Sequence, residues 1–274
     1  MLKRTITAVV AIAVFFPFLY FSDTFMLPLA MAILGLAAAY EMVGCVGLRK
    51  NGWIAVPSYL IAIVLPMISL MTDDPLPPVF GVCMVYMIFV FAATVFSRGK
   101  FDFTIAASAF TGVFYVTVAF TSIVWLRGLG NYFYLLVFVG PWVSDTFAYI
   151  CGRLFGKHKL IPEVSPKKTV EGAIGGVVFA GISYIIFALI IKNFFDSSVT
   201  PNYLVMMVAG MIVAVISQIG DLIASVIKRR FGIKDYGWIF PGHGGVLDRF
   251  DSVLLTAPVL YILSQIPAFS GILL

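Results

Sequence analysis

Charge is scarce in this sequence. Only 11% of its 274 residues are Asp, Glu, Lys or Arg, where a soluble domain carries roughly 25%. It has two histidines and three cysteines. Hydrophobic residues make up 61% of the chain, and the mean hydropathy is +1.05. A water-soluble fold of this size would leave too much apolar surface with nowhere to go. Soluble enzyme, disordered tail and nucleic-acid module are set aside on that ground. The net charge of +5 does not argue for nucleic acid, because the basic residues fall at the ends of apolar runs. Cys45, Cys83 and Cys151 are far apart, in or beside apolar runs, where cysteine is usually buried and inert. They form neither a disulfide framework nor a zinc spacing.

What is present in quantity is long apolar sequence. A membrane helix needs about 20 mostly apolar residues. About nine such runs follow one another: Thr5–Ser22, Phe25–Val46, Trp53–Thr72, Val79–Phe96, Thr104–Leu126, Tyr132–Cys151, Gly172–Ile191, Tyr203–Ile227 and Asp248–Ile266. Lys3 and Arg4 precede the first run, but it has no small-residue cleavage site and another run follows at once, so it reads as a span. Nine spans would put the termini on opposite sides. Sixteen of the eighteen Lys and Arg residues then share one side, leaving Arg127 and Lys192 on the other. Basic residues mark the cytoplasmic side. The fold class expected is an all-α integral membrane protein, N-terminus cytoplasmic and C-terminus outside.

Most connections are short turns. Two are longer, at residues 152–171 and 229–247, both on the cytoplasmic side, and they hold His158 and His243. No internal repeat or linker is evident. The first five spans, residues 1–130, have almost no polar content and read as scaffold. Residues 131–274 read as the catalytic region.

Ionisable residues inside a span cost about 2.5–3.5 kcal/mol on insertion scales, so each needs a reason. Glu41 lies near the cytoplasmic end of the second run and reads as a carboxylate snorkelling or pairing at the interface. Asp145 sits inside Val143–Ile150 and suits either a hydrogen bond to a neighbouring helix or a functional role. Asp221 shares a narrow helical stripe with Ser217, Ser225 and Lys228, and Gly210 and Ala214 continue it with small residues. Such a stripe serves either close helix packing or a polar groove opening at the cytoplasmic loop. A carboxylate favours the groove.

The last constellation runs from Pro241 to Asp251. Gly242, Gly244 and Gly245 free the backbone around His243 for turns and close approach. A glycine-rich loop entering a helix offers N–H groups to a phosphate. Asp248 and Asp251 stand at that same helix start, where they either cap it or hold a cation that phosphate also needs. One or two carboxylates plus substrate phosphates are how Mg²⁺ is usually bound. Asp221 and Asp248 lie on adjacent spans on the same side, and a shared metal site is expected of them. Lys228, Arg229, Arg230 and Lys234, with Lys157, Lys159, Lys167 and Lys168, would surround it with positive charge. Attraction to anionic lipid accounts equally for Lys157, Lys159 and Arg230. His243 suits a phosphate oxygen or the capping of a turn, and His158 reads as an ordinary loop residue.

The residues now match a family. Ser225-Val226-Ile227-Lys228-Arg229, then Lys234-Asp235, Gly237, Phe240-Pro241, His243-Gly244-Gly245-Val246 and Asp248-Arg249-Phe250-Asp251 resemble the motif of the phosphatidate cytidylyltransferases, or CDP-diacylglycerol synthases. Phe155-Gly156-Lys157, Ser165-Pro166-Lys167-Lys168-Thr169 and Glu171-Gly172 resemble that family's other conserved loop, and Asp145 fits just before it. The resemblance is strong from about Trp142 to Ser252. It implies that CTP and phosphatidate give CDP-diacylglycerol and pyrophosphate, with Mg²⁺ and room for a second cation. It further implies a homodimer in a bacterial-type inner membrane, with the active site facing the cytosol and membrane lipid as its surroundings.

By the same resemblance Asp221, Asp248, Lys228, Arg229 and His243 carry the reaction. Asp221, Asp248 and, less directly, Asp145 hold metal. Lys167, Lys168, Ser165, Thr169, Ser225, Lys234, Gly244, Gly245 and Arg249 bind substrate, with Glu171 and Asp251 as partners of the basic residues. Two other classes fit parts of the pattern. A CTP-dependent polyprenol or phytol kinase would share the membrane body and nucleotide site. An anionic-solute transporter would share intramembrane carboxylates and basic mouths, but here the polar residues cluster on one face and no matching halves appear.

Overall fold

Backbone N–H and C=O groups in hydrocarbon must be satisfied within the segment, which leaves helices as the economical answer for runs such as these. A computed structural model describes residues 17–18, 20–68, 71, 76–97, 102–240 and 244–269. The expected first span, Thr5–Ser22, falls almost wholly outside the described residues, as does His243. Each of the other eight runs is a helix: α1 (Met26–Cys45), α2 (Gly52–Ile68), α3 (Leu76–Phe96), α4 (Phe103–Leu129), α5 (Leu136–Phe155), α6 (Val170–Ile190), α7 (Tyr203–Arg230) and α8 (Leu247–Ser264). A 3₁₀ turn, Phe133–Leu135, leads into α5, and a π turn, Ile191–Phe195, ends α6.

Among the described residues six helices are long and apolar enough to cross a membrane: α1, α3, α4, α5 with its preceding turn, α6 with its π turn, and α7. The chain is a multi-pass, helical membrane protein. Two helices expected as spans fall outside that set for separate reasons. The helix α2 has 17 described residues, and α8 spends its first turn on Asp248, Arg249 and Asp251.

The stretch between α5 and α6 differs from expectation. The sequence predicts a longer loop over residues 152–171, but α5 continues to Phe155 and a small antiparallel hairpin follows, β1 (Lys159–Ile161) with β2 (Ser165–Thr169). It pairs Lys159 with Thr169 and Ile161 with Ser165. The other long stretch, after α7, stays irregular in its described part, with one bridge between Phe240 and Gly244.

The chain divides into two compact units, residues 1–125 with 230–250, and residues 126–229 with 251–274. In the first, Leu27, Met31, Ile54, Leu65 and Phe120 are fully buried. Gly35 lets α1 approach α2 closely: a Cβ there would stand 3.1 Å from the Ala62 carbonyl oxygen. Ser58 ties α2 to α3, donating to Ile54 O at 2.7 Å and sharing a hydrogen bond with the Tyr86 hydroxyl at 2.8 Å.

In the second unit, glycine lines the seam between α5 and α6. A Cβ on Gly172 would lie 2.5 Å from Ala148 O, and one on Gly176 2.8 Å from Ser144 O. Phe147 and Phe179 stack across the same seam at 3.9 Å. Tyr184 is wholly buried and donates to Leu136 O at 2.9 Å. Gly210 brings α7 against α6, where its Cβ would meet Ala180 O at 2.8 Å. Small-residue contacts of this kind are how membrane helices approach without a hydrophobic drive between them.

Candidate active site

In the second unit the polar stripe of α7 unfolds as the spacing requires. Gly210, Ala214 and Ser217 are buried, while Asp221, Ser225 and Lys228 are half-buried further along the helix. One residue after Ser217, Gln218 fixes the helix in place. Its amide donates to Ser144 Oγ on α5 at 3.2 Å and to Ala173 O on α6 at 3.1 Å. Three helices are thereby pinned one turn before Asp221.

Asp221 forms an ion pair with Lys168, which β2 carries in from the hairpin. Asp145 on α5 lies within the electrostatic field of both, and it accepts a hydrogen bond from the Ser252 side chain. Asp251, in α8, lies within the field of Asp221, Asp145 and Lys228. Its Oδ1 accepts the Ser252 N–H at 2.9 Å. Gly220 lets α8 come close, since a Cβ there would stand 2.7 Å from Asp251 O. Three carboxylates and two ammonium groups thus gather from α5, β2, α7 and α8.

The hairpin is held by its own polar contacts. Thr169 caps α6 by accepting the Gly172 N–H at 3.2 Å. Glu171 accepts the His158 N–H at 3.2 and 3.3 Å and meets His158 Nδ1 at 2.7 Å. Glu171 was expected beside the lysines and His158 as an ordinary loop residue; the two form a clasp across the ends of the hairpin. Lys157, Lys159, Lys167 and Arg229 are exposed, and Ser165 is half-buried.

The first unit holds Lys234, Gly244, Gly245, Asp248 and Arg249. Asp248 Oδ2 accepts two backbone N–H groups, from Tyr236 at 2.8 Å and Gly245 at 3.0 Å. Gly244 has φ +83°, a left-handed conformation natural to glycine, and a Cβ there would run into the Asp248 carboxylate. Lys234 and Arg249 are exposed. Asp221 and Asp248 belong to different units.

Glu41, expected to snorkel or to pair at the interface, is paired. Glu41 is only 1% exposed and does not snorkel. Its two carboxylate oxygens accept the Val246 and Leu247 N–H groups, each at 2.9 Å. These are N–H groups at the start of α8, which the glycine-rich loop was expected to offer to phosphate. The available signal was the cost of a carboxylate at that depth; its partners lie over 200 positions away.

The donor set of the second unit suits a hard cation. Carboxylate oxygens predominate, and their mutual repulsion is only partly met by Lys168 and Lys228. Among the described residues no three His, Cys, Asp or Glu side chains form a cluster able to hold a metal unaided. One or two protein carboxylates are enough where substrate phosphates supply the other oxygen ligands of Mg²⁺.

Comparison with known proteins identifies the family. The cytidylyltransferase family profile matches residues 2–267. A phosphatidate cytidylyltransferase of Staphylococcus haemolyticus is 36% identical over 263 residues, covering 95% of this chain and 97% of the relative. Proteins of the same name from Staphylococcus epidermidis, 35% identical over 264 residues, and Staphylococcus aureus, 36% identical over 263, have the same coverage. The chain belongs to the cytidylyltransferase family. It is a membrane-embedded nucleotidyltransferase.

Proposed function

We propose that this protein transfers the cytidylyl group of CTP to phosphatidate, forming CDP-diacylglycerol and releasing pyrophosphate. The observation that carries the reading is the match to relatives of that name along 95% of the chain. The carboxylate and lysine cluster at the polar end of α7 supports it. A two-tailed lipid stays in the bilayer while CTP arrives from water. The stripe from Ser217 to Lys228 leads from buried to accessible positions on a single helix, as such a meeting requires.

The phosphatidate phosphate is ionised near neutral pH and is its own nucleophile. Its oxygen forms a bond to the α-phosphorus of CTP as the bond from that phosphorus to the bridging oxygen of pyrophosphate breaks. No proton has to be removed, so the protein's work is positioning and charge stabilisation. Lys168 and Lys228, with Lys167 and Arg229, supply positive charge for two anions that repel each other. Ser225 and His243 orient phosphate oxygens. Asp221, with Asp145 and Asp251 beside it, would hold Mg²⁺ together with substrate phosphate. A bound Mg²⁺ neutralises charge developing on the phosphates. Asp248 enters the metal set on the strength of its motif. The charge bias of the loops supports an inner-membrane enzyme working on the cytosolic side, and the family resemblance supports a homodimer.

The test uses purified protein with phosphatidate, Mg²⁺ and CTP labelled on either phosphate. Label from the α-phosphate should appear in lipid and label from the γ-phosphate in pyrophosphate. Transfer of γ-label to lipid, with CDP as co-product, would make the protein a lipid kinase instead.

A further inference from the structure

We propose that Glu41 is a positioning residue of this enzyme: from the end of α1 it clamps the start of α8 and so fixes the glycine turn and Asp248. The proposal rests on the cytidylyltransferase reading above. Three successive backbone N–H groups at the turn are all held by carboxylates. Gly245 donates to Asp248 Oδ2, and Val246 and Leu247 donate to the two oxygens of Glu41. The turn is therefore closed by the protein's own acids, and an incoming phosphate would have to displace Glu41 to use those amides.

The surroundings are built for this contact. A Cβ on either Gly237 or Gly245 would run into the Glu41 carboxylate. Both positions must stay bare for the carboxylate to seat. Arg49 lies within its electrostatic field and is held in turn: its Nε donates to Tyr40 O at 3.2 Å, and its guanidinium lies 4.1 Å from the Tyr40 ring centre. Glycine gives the turn many alternative conformations. A two-oxygen grip on adjacent amides selects one of them, and the Asp248 carboxylate, tied to Gly245 and Tyr236, inherits that choice. Glu41 reaches Asp248 only through the backbone.

Amide hydrogen exchange on the metal-free protein in detergent tests the clamp directly. In the wild type, the Val246 and Leu247 amides should be protected; exchange as fast as in an open loop would overturn the proposal without any variant. Glu41→Gln keeps the shape and loses the charge. It should speed exchange at these two amides by about tenfold, the scale of one charge-assisted hydrogen bond. Gly245→Ala, which pushes a methyl group against the carboxylate from the other side, should do the same. In turnover assays Glu41→Gln should lower kcat and raise the Mg²⁺ concentration for half-maximal rate, with KM for phosphatidate unchanged. A purely structural Glu41 would lower the melting temperature and leave kcat per folded enzyme and the Mg²⁺ requirement as they were, and that result would sink the positioning role. Failure of the wild type to make CDP-diacylglycerol would overturn the functional reading alone, because the exchange measurement stands apart from it.

Discussion

Lys168, brought in by a β-hairpin, and Asp221, on the longest of the described helices, form an ion pair that ties the hairpin to α7. Neither residue is more than about a third exposed. Both belong to a group of like and unlike charges too crowded to be incidental, with Asp145 and Asp251 in the same field.

Asp221→Asn removes the charge and keeps the shape. Turnover should fall by about 100-fold or more, the usual cost of losing one electrostatic contact to a transition state. The protein should stay folded, as judged by its melting temperature in detergent. Near wild-type turnover at saturating Mg²⁺ would take Asp221 out of the site. Asp248→Asn is informative for a different reason. Its carbonyl oxygen still accepts the Tyr236 and Gly245 N–H groups, so lost activity there reports on charge and not on the turn.

Gly172→Ala should destabilise the second unit by about 1–3 kcal/mol. The new methyl carbon would stand 2.5 Å from Ala148 O, a backbone atom that yields only if α5 and α6 part. A thermal melt in detergent checks this. An unchanged midpoint would mean the seam has slack that the glycine spacing does not suggest.

The lysines should separate by salt dependence. Lys157 and Lys159 are exposed. Their replacement by Gln should cause small losses that fade as ionic strength rises past 0.1 M, where the Debye length is about 10 Å. Lys168→Gln should be severe at any salt, because its partner Asp221 is close and partly shielded. Initial rates across a salt series distinguish the two behaviours. A severe, salt-insensitive loss at Lys157 would bring it into the site.

Sidedness follows from the basic residues. A single cysteine introduced as Lys157→Cys, in a background lacking Cys45, Cys83 and Cys151, should react with an impermeant thiol reagent only from the cytoplasmic face. Ser198→Cys, beyond the far end of α6, should react only from the other face. Labelling of both from one face would contradict a membrane-crossing α6.

Much of the fold was legible because its signal is local. Every apolar run among the described residues became a helix, and the α7 stripe emerged from period 3.6 alone. The hairpin was not legible. β2 reads Ser-Pro-Lys-Lys-Thr, with no alternation of apolar and polar residues, and it is held by the Glu171–His158 clasp and register with β1 rather than by a buried face. Asp145 and Asp221 were conspicuous as charges in apolar sequence, Asp251 as part of the glycine-rich motif, and Lys228 by its spacing from Asp221; that Lys168 pairs with Asp221 is a tertiary fact no spacing reveals. Glu41 shows the limit most clearly. Its cost was plain from the sequence and its purpose was not, because hydrogen-bond partners 205 and 206 positions away leave no periodic trace.

That separation has a consequence for biosynthesis. A ribosome adds about 5–20 residues each second. Glu41 therefore enters the membrane some 10–40 seconds before Val246 and Leu247 exist to receive it. Throughout that interval a bare carboxylate stands at the end of an otherwise apolar helix, with Arg49, made within a second or two, as the nearest opposite charge to shelter it. Arg49→Ala should therefore harm the yield of inserted protein more than the melting temperature of the finished one, since the finished chain has two amides on Glu41 that the nascent chain lacks.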